Sequence, residues 1–190
     1  MQKRTSFFIL LFLSSLILIS FFSGCLPVTP TVTVNAKLLA IGDYYGGGKV
    51  AYIDGSGIHG LIAATADQST GIAWSNITFT KIGATAQGIL IGTGQTNTTA
   101  IVGQSGCVSG AAWLCNNLNE GGYTDWFLPS KDELSKLYLN KVAIGGFTVN
   151  YYWSSSESNA NIAWYQIFNN GYQNLYNKNS TYRVRAVRAF

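Results

Sequence analysis

The sequence predicts an α+β domain behind an export leader, and three observations carry that prediction. A capping box opens a helix at mid-chain. Short alternating segments punctuated by glycine turns flank it on both sides. The composition is richer in aromatic residues (14%) than in charged ones (11%), which excludes a disordered chain. Residues 37–190 have the ordinary length of one domain built round one core.

Lys3 and Arg4 precede an apolar run over residues 7–22. The run is short for a membrane span, which needs about 20 apolar residues, and fits the core of a secretory signal ending at Ser23-Gly24. Residues 1–24 are therefore predicted to be a signal peptide. Phe22-Ser23-Gly24-Cys25 resembles the lipobox of bacterial lipoproteins, departing from it at Phe22, where the family has Leu. The resemblance implies that Cys25 takes a lipid and becomes the N-terminus. Leu26 after it implies the outer membrane or cell surface. Ordinary cleavage beside an incidental cysteine is the alternative. Leu26 to Ala36, with Pro27 and Pro30 and no charge, completes a tether over residues 25–36. Without Lys3 and Arg4 the 12 basic residues become 10 against 8 acidic ones. A mature charge of +2 with no basic stripe argues against nucleic acid as a partner. Cys107 and Cys115 are either a loop-borne disulfide, which an oxidising compartment permits, or two small buried thiols.

Along the domain, Gly46-Gly47-Gly48 predicts a turn before the strand Lys49 to Ile53. Asp54 to Gly57 predicts a hairpin closing on His59 to Ala64. The Gly-x-Gly at Gly92 to Gly94 lacks the later glycine and the acidic residue of a dinucleotide site, so it predicts a turn. Helices are predicted over Thr98–Val102 and Ala111–Leu118. A third starts at Ser130, with Glu133 completing the capping box, and ends near Asn140. Leu134, Leu137 and Tyr138 give it one apolar face. From Phe147 the pattern turns to strands, and Asn150 to Tyr182 holds 8 Asn and 6 Tyr. The tract ends in an alternating strand from Tyr182 to Arg188, with Val184 and Ala186 on one face and the arginines on the other.

Three blocks together resemble a known family. They are His59-Gly60-Leu61-Ile62-Ala63-Ala64 with Asp67-Gln68-Ser69, Asp125-Trp126-Phe127-Leu128-Pro129-Ser130 with Asp132-Glu133-Leu134, and Tyr152-Trp153-Ser154-Ser155-Ser156-Glu157 with Arg183 to Phe190. They are similar to the C-terminal domain of the Legionella collagen-like adhesin, common in bacterial surface lipoproteins. The resemblance covers residues 41–190. It implies a C-type lectin-like fold, in which two helices pack on a small twisted antiparallel sheet with long display loops.

Trp153 to Phe190 also resembles the variable region of proteins diversified by retroelements, in which template adenines are copied inaccurately. The resemblance implies a fixed frame of Ser154 to Glu157, Ala160, Ala163-Trp164, Phe168, Gly171 and Arg183 to Phe190. It implies ligand-binding positions at Ser158, Ile162, Tyr165, Ile167, Tyr172, Leu175, Tyr176, Ser180 and Tyr182. Each is reachable from an Asn codon by changing adenines. The competing reading is an invariant domain with an Asn/Tyr-rich strand face. Tyr offers rigid contact area at small entropic cost while Asn and Ser adapt their hydrogen bonds, the mixture antibody paratopes use. Tyr165, Tyr172, Tyr176 and Tyr182 are expected to lie exposed together as hot-spot anchors, with Trp153, Trp164 and Phe168 in the core.

No catalytic residue is expected. His59 is the only histidine, and no Ser-His-Asp arrangement is evident around it. No metal and no cofactor are expected either, since Glu157 is the one acidic residue of the tract and calcium needs clustered oxygens. The leading expectation is a diversified lipoprotein binding a protein or glycan on another cell, a phage or a host. Behind it stand an invariant adhesin for sulfated polysaccharide, contacted by Arg183, Arg185 and Arg188, and a structural envelope lipoprotein.

Overall fold

The computed structural model describes residues 38–190. The signal peptide, Cys25 and the tether lie outside the described residues. The chain opens with a hairpin of β1 (Tyr44–Tyr45) and β2 (Gly48–Ile53). Its two-residue turn needs positive φ at both positions, which Gly46 (56°) and Gly47 (83°) supply. The predicted turn then joins β2 to β3 (Gly60–Ala63): the Asp54 amide donates to the His59 carbonyl at 2.8 Å, and the Asp54 carboxylate accepts from the Ser56 amide. β4 (Ser69–Ile72) follows.

Four helices occupy the middle: α1 (Gly94–Val102), α2 (Ala111–Asn116), α3 (Lys131–Leu139) and α4 (Lys141–Ile144). α1 begins four residues ahead of the predicted start because its inner face is polar, which hides it from an apolar-period reading. Asn97 is buried, pairing its amide with both backbone groups of Gly88, and buried Thr98 bonds Leu128. α3 starts as predicted, with Ser130 Oγ accepting from the Glu133 amide and Glu133 Oε2 accepting from the Ser130 amide at 2.7 Å.

β5 (Tyr151–Glu157), β6 (Ile162–Ile167), β7 (Gln173–Asn177), β8 (Tyr182–Val184) and β9 (Val187–Ala189) complete the chain. They form two sheets, ordered β1-β2-β3-β9 and β4-β8-β5-β6-β7. The α+β class stands. Among the described residues, the expected two helices on one antiparallel sheet are instead four α-helices and two sheets, and β5 pairs with β8 in parallel.

The expected single strand from Tyr182 to Arg188 is broken. β8 belongs to one sheet and β9 to the other, and Arg185 between them is buried rather than turned to solvent. Its guanidinium meets the Asp67 carboxylate and the carbonyls of Ala64, Gly145 and Gly146. A buried charge must be paired and hydrogen-bonded, and this socket turns the chain from sheet to sheet. One core gathers Trp74, Trp126, Leu128, Trp153 and Val184 between the sheets and α1–α2. A second gathers Leu61, Phe127, Leu134, Leu137, Tyr152 and Phe168 under α3. Cys107 and Cys115 are free thiols, the second fully buried.

Candidate binding face

The strands of the Asn/Tyr-rich tract stand on buried polar residues. Ser154, Ser155, Ser156 and Glu157 of β5 are all buried. Glu157 accepts from the amides of Ile82 and Gly83 and, at 2.7 Å, from Lys178 Nζ, which lies over the Trp74 ring. Burial pulls the Lys178 pKa down while Glu157 holds it up. The pair anchors the β7–β8 connection to the loop before α1. On the other side Asp67 accepts from Tyr152 Oη, Arg183 and Arg185, fixing β8 beside β5.

Strand register decides which side chains meet. Cross-strand partners share a face and neighbours along a strand alternate. Tyr151 pairs with Ile167, Trp153 with Tyr165, Tyr165 with Asn174, and Ala163 with Tyr176. One face therefore carries Tyr151, Tyr165, Tyr176 and, from β8, Tyr182. Near Trp153, Ala163 and Val184 it is buried in the first core, and beyond them it opens to solvent.

The rings form a connected cluster. Tyr165 lies 5.6 Å from Tyr151, 6.2 Å from Tyr176 and 4.9 Å from Tyr182, and Tyr182 lies 4.5 Å from Trp153. Tyr172, at 59%, Tyr176, at 50%, and Tyr151, at 42%, are exposed. Tyr165 is only 9% exposed. Burial, then the neighbouring phenols of Tyr165, Tyr176 and Tyr151, push the Tyr182 pKa up to about 12, and burial likewise raises that of Tyr165. Among the described residues, those that the register places at the open end of this platform (Tyr151, Ile167, Tyr172, Asn174 and Tyr176) are uncharged.

The nine predicted binding positions do not form one surface. Tyr165, Ile167, Tyr172, Tyr176 and Tyr182 share the platform side. Ile162 and Leu175 alternate to the face that packs toward α3, where Leu175 pairs with Trp164 and Gln173 donates to the Lys131 carbonyl. Ser158 and Ser180 sit in the flanking turns. Tyr165 is a buried hub rather than an exposed anchor, because strands press on it from both sides. Trp153 and Phe168 are core as expected, whereas Trp164 is only half-buried, beneath Lys131 Nζ at 5.0 Å. Tyr151, absent from the sequence selection, lies just ahead of the Trp153 block, and its alternation with Trp153 is the signal that would have found it.

Part of the Asn richness is turn chemistry. Asn150, Asn159, Asn170 and Asn174 each accept from a backbone amide one or two residues ahead, as Asn does in turns. The arginines proposed for sulfate are already engaged: Arg183 and Arg185 by Asp67, and Arg188 by both oxygens of Asp125.

His59 does meet a serine and an aspartate, although no such arrangement is evident from the sequence. Ser56 Oγ lies 3.3 Å and Asp54 3.8 Å from the same ring nitrogen, Nδ1. A catalytic relay needs the hydroxyl and the carboxylate on opposite ring nitrogens. With both at Nδ1, and Ser56 Oγ bonded directly to Asp54, this is a turn motif.

A family model described as the Lcl C-terminal domain matches residues 63–188. No curated protein matches the chain.

Proposed function

This chain belongs to the Lcl C-terminal domain family, and from that premise we propose that it is an adhesin-like surface lipoprotein whose recognition face is the tyrosine platform. One observation carries the reading: three exposed tyrosines stand round the buried Tyr165 and the half-buried Tyr182 on one sheet face. Large amphipathic rings held by their neighbours lose little entropy on contact, and anchors at the centre of a patch dominate binding energy. The partner is a protein or glycan on another cell, a phage or a host. The ion-paired arginines turn the reading away from sulfated polysaccharide.

The diversified-receptor reading draws support from burial. Ten of the seventeen implied frame residues are buried (Ser154 to Glu157, Ala163, Phe168 and Val184 to Val187), while Ala160, Trp164, Gly171, Arg183 and Arg188 to Phe190 are not; of the nine implied variable positions only Tyr165 is buried. A protein that varies those positions keeps its core. A near-copy of the last codons differing at adenines, beside a reverse transcriptase gene, would support it, and a complete locus without one would remove it.

Membrane anchorage through Cys25 is part of the same proposal. The functional test is a screen of the full chain against arrayed glycans and envelope proteins, followed by the triple variant Tyr151→Ala, Tyr172→Ala, Tyr176→Ala. Loss of the captured partner at unchanged melting temperature is expected. Undiminished capture by the triple variant would move the binding face elsewhere.

A further inference from the structure

A cavity of about 370 Å³ opens between β2, β3, β9 and the loop leading into α1, and shares no residue with the platform. It falls in the size range of small-molecule sites. Its body is apolar: Leu61, Ile91, Phe127 and Phe190 line it. Seven of its thirteen lining residues, five between Tyr52 and Leu61 together with Ala189 and Phe190, lie outside the span the family model matches.

The wall is preformed. The loop carrying Ile89, Leu90 and Ile91 is pinned by the start of α3: the Asp132 amide donates to the Ile89 carbonyl, Ser130 Oγ to the Leu90 carbonyl, and the Gly92 amide to Glu133 Oε1 at 2.8 Å. Ile91 is thereby held at the cavity, and Ile89 and Leu90 beside it in the chain are exposed as well. Exposed apolar surface fixed in this way marks an interaction site more often than an accident. Across the cavity Gly60 sets the floor, since a Cβ there would meet the Tyr52 carbonyl at 2.0 Å and the Phe190 ring at 2.8 Å.

Charge selects the occupant. No lysine or arginine lines the cavity. Asp125 gives both carboxylate oxygens to Arg188, and Glu133 gives both to the amides of Gly92 and Ser130. Asp54 remains, hydrogen-bonded within its own turn by Ser56 and Gly57 and facing His59, with no lysine or arginine paired to it among the described residues. An anion would meet Asp54 with no lysine or arginine among the lining residues to offset it. A cation gains one uncompensated carboxylate at the rim and an apolar interior for its body.

We propose that this cavity binds a small organic cation, an ammonium group on an aromatic or aliphatic body, with the ammonium at Asp54 and the body against Leu61, Phe127 and Phe190. The proposal does not depend on the platform.

The experiment is calorimetric titration of the full chain in non-ionic detergent with three probes sharing one ring: phenethylammonium, phenethyl alcohol and phenylpropanoate. Phenethylammonium should bind about tenfold more tightly than the alcohol, which corresponds to one modest ion pair, and phenylpropanoate should give no binding heat. Asp54→Asn keeps the acceptor that the turn requires and should erase the preference for the amine over the alcohol. Ile91→Trp, which fills the mouth, should abolish binding of both. Binding of phenylpropanoate as tight as that of the amine, no binding by any probe, or unchanged amine binding in both variants would each overturn the proposal.

Discussion

A phenol inside a cluster of phenols ionises late, and Tyr182 is the extreme case, its pKa pushed up to about 12 by burial and by the tyrosines around it. An unfolded tyrosine titrates near 10. Between those values the folded state keeps a proton that the unfolded state has lost, so stability falls as pH rises through that window and is unaffected below it. Chemical denaturation followed from pH 9 to pH 12 should show this fall, and Tyr182→Phe, which cannot ionise, should flatten it. Equal slopes in the two proteins would mean that the cluster is looser in solution. The Lys178–Glu157 pair behaves differently, because both side chains are wholly buried. Removing one partner strands the other charge, which costs about 3–5 kcal/mol, so Lys178→Met and Glu157→Gln should each lower the urea midpoint sharply. Lys178→Met with Glu157→Gln together should cost less than the sum of the two, since neither charge is then left alone. Neither partner is legible from sequence. A lysine in an Asn-rich turn looks like solvated surface, and its burial depends on Trp74 and Glu157, which are far away along the chain.

At the scale of elements, legibility follows the range of the chemistry. The start of α3 can be read directly because Ser130 and Glu133 bond across three positions, and both early hairpins follow from glycines whose φ only glycine tolerates well. The break between β8 and β9 cannot be read. Alternation runs on through Arg185, and what ends it is a bond to Asp67 across 118 positions. The inner face of α1 is hidden for a related reason: Asn97 and Thr98 look exposed until their partners at Gly88 and Leu128 are placed. Ser130 supplies the prediction at this scale. Its hydroxyl accepts from the Glu133 amide and donates to the Leu90 carbonyl while fully buried. Ser130→Ala should therefore cost about 1–2 kcal/mol, the upper part of the range for a lost helix cap. A thermal melt that does not move would show that the cap is dispensable and that the loop over the cavity is held by other contacts.

Over the whole molecule, one sheet face passes from core to surface within four strands, and that gradient separates what folds the domain from what it offers to a partner. Trp153 and Phe168 are 0% and 1% exposed, at the two cores, while Tyr151, Tyr172 and Tyr176 stand at the open end. Sequence period alone places these residues on strands but not on faces, because the face depends on the register that β5 and β7 take against β6. Register is why Ile162 and Leu175 turn away from the platform and why Tyr165 becomes its hub. Single alanine variants of Tyr151, Tyr172 and Tyr176 should each hold stability within roughly 0.5 kcal/mol of the parent, as surface changes do. Trp153→Ala and Phe168→Ala should cost about 3–5 kcal/mol each, as truncated core aromatics do, a large share of the stability of one domain. Tyr165→Ala should fall between the two groups, since its ring is nearly buried yet borders the open face. The measurement is denaturant unfolding of all six variants under one set of conditions. If the three open-end variants cost as much as Trp153→Ala, those rings are structural and the platform is a core edge rather than a binding face. If Phe168→Ala is silent, the second core does not close as its packing requires. The expected order, with Tyr165 in the middle, follows from the gradient of burial across the face, and a binding surface laid on an independent scaffold would not place Tyr165 between the two groups.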